Sequence, residues 1–167
     1  MAITNNDILR RIRYTFNYSD ADMLGIFELS EYSVSRETLC NWLKKDDDPQ
    51  FEPCKDAVLS IFLNGFICKR RGKKEGAQPE IEQQLTNNII FRKLKIALNL
   101  QAEEVLQMLK QSELTISKHE LSAFFRNPAH KHYRECKDQI LRKFLQGMQQ
   151  KYRTDNKPSP QKPASST

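Results

Sequence analysis

The stretch that decides the fold is "FEPCKDAVLSIFLNGF" (residues 51–66), because it returns as "YRECKDQILRKFLQGM" (133–148). Sliding the chain against itself by 82 residues aligns 4–66 with 86–148 without a gap and with roughly 18 identities. Self-similarity at a fixed offset marks a duplicated structural unit. "TNNDILRRIRYTFN" faces "TNNIIFRKLKIALN", and "SEYSVSRETLCNWL" faces "SELTISKHELSAFF". The quoted stretch is therefore the last segment of a domain that occurs twice.

Positions apolar in both copies are candidate core. In the closing segment they are Cys54/Cys136, Val58/Ile140, Leu59/Leu141, Phe62/Phe144, Leu63/Leu145 and Phe66/Met148, a spacing that traces one helical stripe. Ile8/Ile90, Leu9/Phe91, Ile12/Leu94 and Phe16/Leu98 do the same in the opening segment. Between them lie "DADMLGIFEL" and "RETLCNWLKK", matched by "AEEVLQMLKQ" and "KHELSAFFRN". Helix starts are marked by Thr4 or Asn5, Thr86 or Asn87, Ser19 with Asp22 in a capping box, and Ser35 and Ser117. Pro49, Pro53 and Pro128 break the chain before the fourth helix of each copy. No alternating β-branched run competes. The expected fold is all-α: two homologous four-helix domains in tandem, each containing a helix-turn-helix-like pair. The expected boundaries are 1–70 for the first repeat, 71–84 for a linker, 85–153 for the second repeat and 154–167 for a disordered tail rich in Pro, Ser and Lys.

The chain has 167 residues, 38% hydrophobic and 29% charged, with a net charge of +6, which excludes fibrous and wholly disordered classes. Its longest apolar run, "AVLSIFLNGFIC" (57–68), falls short of the roughly 18 residues a membrane span needs. "MAITNNDILRR" lacks the basic-then-apolar order of a secretory signal, so a cytoplasmic location is expected. Cys40, Cys54, Cys68 and Cys136 show no paired spacing and read as reduced thiols. Residues 1–78 carry 12 basic and 12 acidic side chains and the remainder 15 and 9, so the excess charge belongs to the second half.

With the duplication established, "LSAFFR" (121–126) followed by "YRECKDQILRKFLQG" (133–147) resembles the YehS-like family of small bacterial proteins, which is defined by this tandem domain. The resemblance spans about 4–148. It implies a bacterial cytosolic protein with two equivalent domains, and it transfers no catalytic or binding residue.

Candidate chemistry starts with the third helix of each copy. Val34, Ser35, Leu39 and Trp42, and Ile116, Ser117, Leu121 and Phe124, match the plug, cap and anchor positions of a helix-turn-helix, whose second helix faces the DNA major groove. The free face then offers Arg36, Glu37, Cys40, Asn41 and Lys44 in the first copy and Lys118, His119, Ser122 and Arg126 in the second. Ser33 and Thr115 stand where such turns favour glycine, and the same pattern is what ordinary helix packing requires. A second feature is a basic strip in register: Arg10, Arg11 and Arg13 match Arg92, Lys93 and Lys95, chemistry suited to phosphates or to a solvated helix face. A third is the loop after the third helix, where "KKDDDPQF" (44–51) becomes "RNPAHKHY" (126–133). Three carboxylates repel a phosphate backbone, whereas Lys131 and His132 do not.

His130, His132 and Cys136 have the chemistry of zinc ligands, but Cys54 lacks histidine partners and a buried thiol explains both copies. A Cys136 nucleophile served by His132 needs a lowered thiol pKa. No phosphate loop, dinucleotide fingerprint or repeated carboxylate pair is present. The expected metal and cofactor content is none, and no catalysis is expected. Ile61 and Ala57 face Lys143 and Gln139, so the last helix of the first copy is apolar nearly all round and wants a second neighbour, from the other repeat or from a second chain as a homodimer. The reading is a binding module for DNA or RNA, acting through Lys118, His119, Ser122, Arg126, Lys131, His132 and the first-helix strips. The alternative partner is another protein.

Overall fold

The computed structural model describes residues 2–72 and 79–156, and for 154–156 the backbone alone. Among the described residues the chain is helical without strands: α1 (Asn5–Phe16), α2 (Asp20–Leu29), α3 (Arg36–Leu43), α4 (Asp56–Arg71), α5 (Asn87–Ala97), α6 (Ala102–Gln111), α7 (Lys118–Ala123) and α8 (Asp138–Asn156). Four helices belong to each repeat. The expected tail from 154 begins inside α8, and past Asn156 it lies outside the described residues.

Local chemistry repeats as faithfully as the sequence. Thr4 and Thr86 cap the first helices, accepting from the amides of Asp7 and Ile89. Ser19 and Ser117 form capping boxes with Asp22 and Glu120. The paired asparagines that follow each threonine tie distant segments together. Asn5 Nδ2 donates to Cys54 O at 2.9 Å and to Asp56 Oδ1 at 2.7 Å, and Asn87 repeats this with Cys136 O at 3.0 Å and Asp138 Oδ1 at 2.7 Å. Buried Asn6 donates to Trp42 O and Glu52 O and accepts from Cys54 N, as Asn88 does with Phe124 O, Arg134 O and Cys136 N. Backbone groups taken out of water need such partners, so each Asn pins the irregular loop between the third and fourth helices.

Helix–turn–helix geometry is only partly met. Residues 30–35 and 112–117 separate the two helices, with Glu31 and Glu113 left-handed at φ 59° and 67°. That is longer than the three to four residues usual in DNA-binding turns. The left-handed residue comes two positions before Ser33 and Thr115. The third helices also stop early, at Leu43 and Ala123, because Glu52 N donates to Asn41 O and Arg134 N to Ala123 O, folding the loop back on them.

The repeats pack through their first and last helices. α1 lies chiefly on α8 and α5 chiefly on α4, while α2 packs on α4 and α6 on α8 within each repeat. The two main inter-repeat helix pairs are thus counterparts on exchanging the halves, as in a two-fold pair. Arg71 Nη1 donates to Ile96 O at 2.8 Å, and its counterpart Arg153 Nη1 donates to Tyr14 O at 2.8 Å. The second neighbour expected for α4 is therefore α5 of the same chain, and Ile61 is buried. Phe16 meets Tyr152 across the α1/α8 side at 5.4 Å between ring centroids. One hydrophobic core runs through both repeats.

Candidate functional site

The basic strip on the first helices does not survive as one surface. Arg10 binds Asp7 at 2.6 Å and donates to Lys44 O at 2.6 Å, and Arg13 pairs with Asp20. Arg11 is half-buried on the α1/α8 side, where loss of water lowers its pKa against the opposing pull of Asp7. Arg92 is exposed. Lys93 is 6% exposed, donates to Asn64 Oδ1 at 2.6 Å and lies 3.2 Å from Glu82. Lys93 therefore leaves the expected phosphate-binding strip: it is part of the inter-repeat interface. Lys95 Nζ sits 5.5 Å from the centre of the Phe125 ring. Register alone did not fix environment, because Lys93 meets Asn64 and the Glu82 carboxylate from the segment between the repeats, whereas Arg11 in the equivalent α1/α8 groove has no such ion pair among the described residues.

Of the residues expected on α7 and its loop, His119, Ser122, Arg126 and His132 come together. α7 is short, and Arg134 N bonding Ala123 O lays 127–135 against it. Arg126 Nη1 reaches His132 O at 3.3 Å, and Ser122 Oγ donates to His119 O at 2.9 Å. Lys118, His119, Ser122, Lys131 and His132 are exposed. Carboxylates near this face are already engaged. Glu120 caps α7, and its hydrogen bonds from Ser117 hold its carboxyl below the ordinary range; Glu103 bonds Lys118 at 2.8 Å and is lowered likewise. The equivalent face of the first repeat is different: Arg36 is tied to Asp20, Asn41 to Glu52, and the loop carries Asp46, Asp47 and Asp48.

The metal and nucleophile constellations come apart. His130 and His132 sit on the exposed loop, their rings 5.6 Å apart, while Cys136 is buried. No group of three or more ligating side chains converges among the described residues. Burial, with the nearby Asp138 charge, pushes the Cys136 thiol up to about 12, and burial with Asp56 does the same at Cys54. A thiol in that state is protonated and inert at neutral pH. In "CKD" the cysteine packs in the core, the lysine precedes the helix and the aspartate receives Asn5 or Asn87.

Sequence reasoning missed the inter-repeat polar groups: Arg71, Arg153, Asn64, Ser60 and Glu82. A signal was available for the first two, since continuing the same offset past Phe66 aligns Lys69 with Lys151 and Arg71 with Arg153. A cleft of about 620 Å³ is lined by Arg10, Arg13, Lys44 and Arg153 with Tyr14 and Tyr18. Its cations already hold carboxylates, carbonyls or rings of the protein.

Residues 5–72 and 87–154 each match the family described as "Protein of unknown function (DUF1456)", and the two segments coincide with the two four-helix repeats. The chain belongs to this family. Within DUF1456, the uncharacterized protein YehS of Escherichia coli (strain K12) is 41% identical over 145 residues, covering 86% of this chain and 93% of that protein. No solved structure matches the chain. The family boundaries leave 73–86 between the repeats, yet 79–85 is not a bare tether: it runs along α4 and α5 and supplies Glu82 to their interface.

Proposed function

We propose that this protein is a non-catalytic, cytosolic binding module that associates with nucleic acid through α7 and the 127–135 loop of the second repeat. The observation that carries this reading is the contrast between matched faces. Where the first repeat has Asp46, Asp47 and Asp48, the second has a surface of exposed Lys118, His119, Lys131 and His132 with partly buried Arg126, its carboxylates used in caps and ion pairs. Because the turn is long and α7 short, backbone contact supports the reading better than deep insertion of a recognition helix. Binding of that kind is dominated by phosphate neutralisation and falls steeply with salt. Engaging about three phosphates of a duplex gives a slope of about −2.7 in log affinity against log salt. Four free cysteines support a reducing compartment, and no helix among the described residues is long and apolar enough to cross a membrane.

The test is fluorescence anisotropy with labelled duplex DNA and single-stranded RNA over a salt series. Arg126→Glu with Lys131→Glu should abolish binding, while the charge-matched control Lys45→Glu with Lys110→Glu should weaken it only slightly. Equal losses in the two variants reduce the effect to net charge and refute a defined site. A protein-interaction role is the second reading, favoured by Tyr14 and Ile96, which are 52% and 42% exposed at equivalent positions beside the Arg153 and Arg71 contacts.

A further inference from the structure

The two inter-repeat grooves are equivalent in architecture and, among the described residues, unequal in occupancy. In the α4/α5 groove the chain's own segment 79–85 runs against the helices without secondary structure, bending at 83–84. Asn64 Nδ2 donates to Glu80 O at 3.2 Å, Glu82 N donates to Ser60 Oγ at 3.0 Å, and Leu85 N donates to Asp56 Oδ2 at 2.8 Å. The Glu82 carboxylate receives Ser60 Oγ at 2.6 Å and stands 3.2 Å from the buried Lys93 ammonium. A buried cation is thereby matched by a partly buried carboxylate, as low-dielectric surroundings demand.

Moving 82 residues along the sequence shows what the α1/α8 groove offers instead. Arg11 stands for Lys93, Arg142 for Ser60 and Ile3 for Leu85. These residues line an open groove of about 410 Å³ with Arg10, Tyr14 and Gln149. Its lining carboxylate, Asp7, is committed to Arg10 and to the Thr4 amide. Arg11 feels Asp7 electrostatically but makes no side-chain hydrogen bond among the described residues, although it is partly buried. Arg142 already has a partner within the protein, which a ligand would share. Arginine thus stands in this groove at the point where the serine of its counterpart receives a carboxylate.

We propose that the α1/α8 groove is a docking site for an extended acidic peptide segment of a partner protein, which sets a carboxylate between Arg11 and Arg142 as Glu82 is set between Lys93 and Ser60. The internal copy supplies the template for the bound form: a backbone run of about seven residues, one partly buried carboxylate near its middle and an apolar residue at its end. Guanidinium groups suit that carboxylate better than an ammonium because they bind it with two parallel hydrogen bonds. The site is on the side of the molecule formed by α1 and α8 and involves none of the α7 residues proposed to meet nucleic acid, so the two proposals stand or fall separately.

The test uses the full-length protein, nitrogen-labelled for NMR, titrated with a capped synthetic peptide of sequence PEIEQQL, that of residues 79–85. The titration runs to about 10 mM, the range of effective concentration that a short tether provides. Amide shifts are expected around Arg11, Tyr14, Arg142 and Gln149. Changing the second glutamate of the peptide to glutamine should weaken binding by at least about tenfold, the scale of a hydrogen bond to a charged group. Arg11→Ala should do the same and Arg11→Lys should restore much of it, with the unchanged remainder of each spectrum showing that the fold is intact. No shifts at these amides, or equal binding of the glutamine peptide, overturns the proposal. So does a single-stranded oligonucleotide that perturbs the same amides at lower concentration, which would assign the groove to phosphate.

Discussion

Replacing Gly147 by alanine should destabilise the protein, against the usual trend for a helix. Glycine inside a helix costs about 1 kcal/mol relative to alanine, so Gly→Ala at an open position is stabilising. Gly147 is not open. A Cβ there stands 2.4 Å from Met108 O and 3.0 Å from the Met108 carbonyl carbon, because α8 crosses α6 at backbone contact. Carbon packs comfortably at about 3.5 Å or more from its neighbours, and the obstacle is main chain, which cannot swing aside as a side chain does. The helices must separate, at an overpacking cost of about 1–3 kcal/mol or somewhat more. After the helix-propensity gain, the net loss is about 2 kcal/mol, a fall in Tm of about 4–8 °C for a chain of this size. Gly65→Ala, where the Cβ meets Ile26 O at 2.1 Å, should cost at least as much. Gly25, also within a helix but with nothing within 4 Å of its Cβ, is the control: Gly25→Ala should raise Tm by about 2–4 °C. Thermal and urea unfolding followed by circular dichroism compares the three. Gly147→Ala as stable as the parent protein, or the same response at Gly25 and Gly147, refutes the close helix crossing.

Asn6→Ala and Asn88→Ala should each cost about 3 kcal/mol in urea unfolding, because each strands two carbonyls and an amide at a buried or partly buried site; near-neutral values would contradict the pinning role. Acid should weaken the fold. The Glu82 carboxyl is raised by burial but lowered more by Ser60 and Lys93, and Asp20 is lowered chiefly by Arg13. A depressed carboxylate stabilises above its unfolded pKa of about 4, and that stability is lost as pH falls through the folded value. Urea midpoints should therefore drop between about pH 5 and pH 3, and Glu82→Gln should be less stable at pH 6 yet lose less across that window. In native protein iodoacetamide should modify Cys40 and Cys68 and spare Cys54 and Cys136, with all four reacting after denaturation. Native labelling of Cys136 would contradict its burial.

Much of the fold could be read from the sequence because the two copies check each other. Ser19, Ser35 and Ser117 cap where the pattern placed them, and the shared stripe from Leu59/Leu141 to Phe66/Met148 is buried in both repeats. The all-round apolar character of α4 correctly signalled a second neighbour, which proved to be α5. What stayed hidden depends on which helix faces which across the repeats. Lys93 and Arg11 are equivalent in sequence, yet Lys93 enters a polar cluster whose carboxylate comes from the supposed linker, and Glu82 looked like one charge among several there. Glycine at 65 and 147 reads as a weak point in a helix until the crossing backbone is known. The asparagines of "TNN" looked like alternative caps, whereas long-range hydrogen bonds make them the pins of a loop some fifty positions away. On the candidate site, spacing placed α7 and its loop side by side but could not show that the turn before α7 takes six residues.

The pairing of α1 with α8 and of α4 with α5 is tested most directly by nuclear Overhauser contacts in the full-length protein in solution. The arrangement requires cross-peaks between the rings of Phe16 and Tyr152, whose centroids lie 5.4 Å apart across the repeats. Finding Phe16 in contact only with rings of its own repeat, such as Tyr18 and Phe66, would mean that the halves do not pack as a two-fold pair.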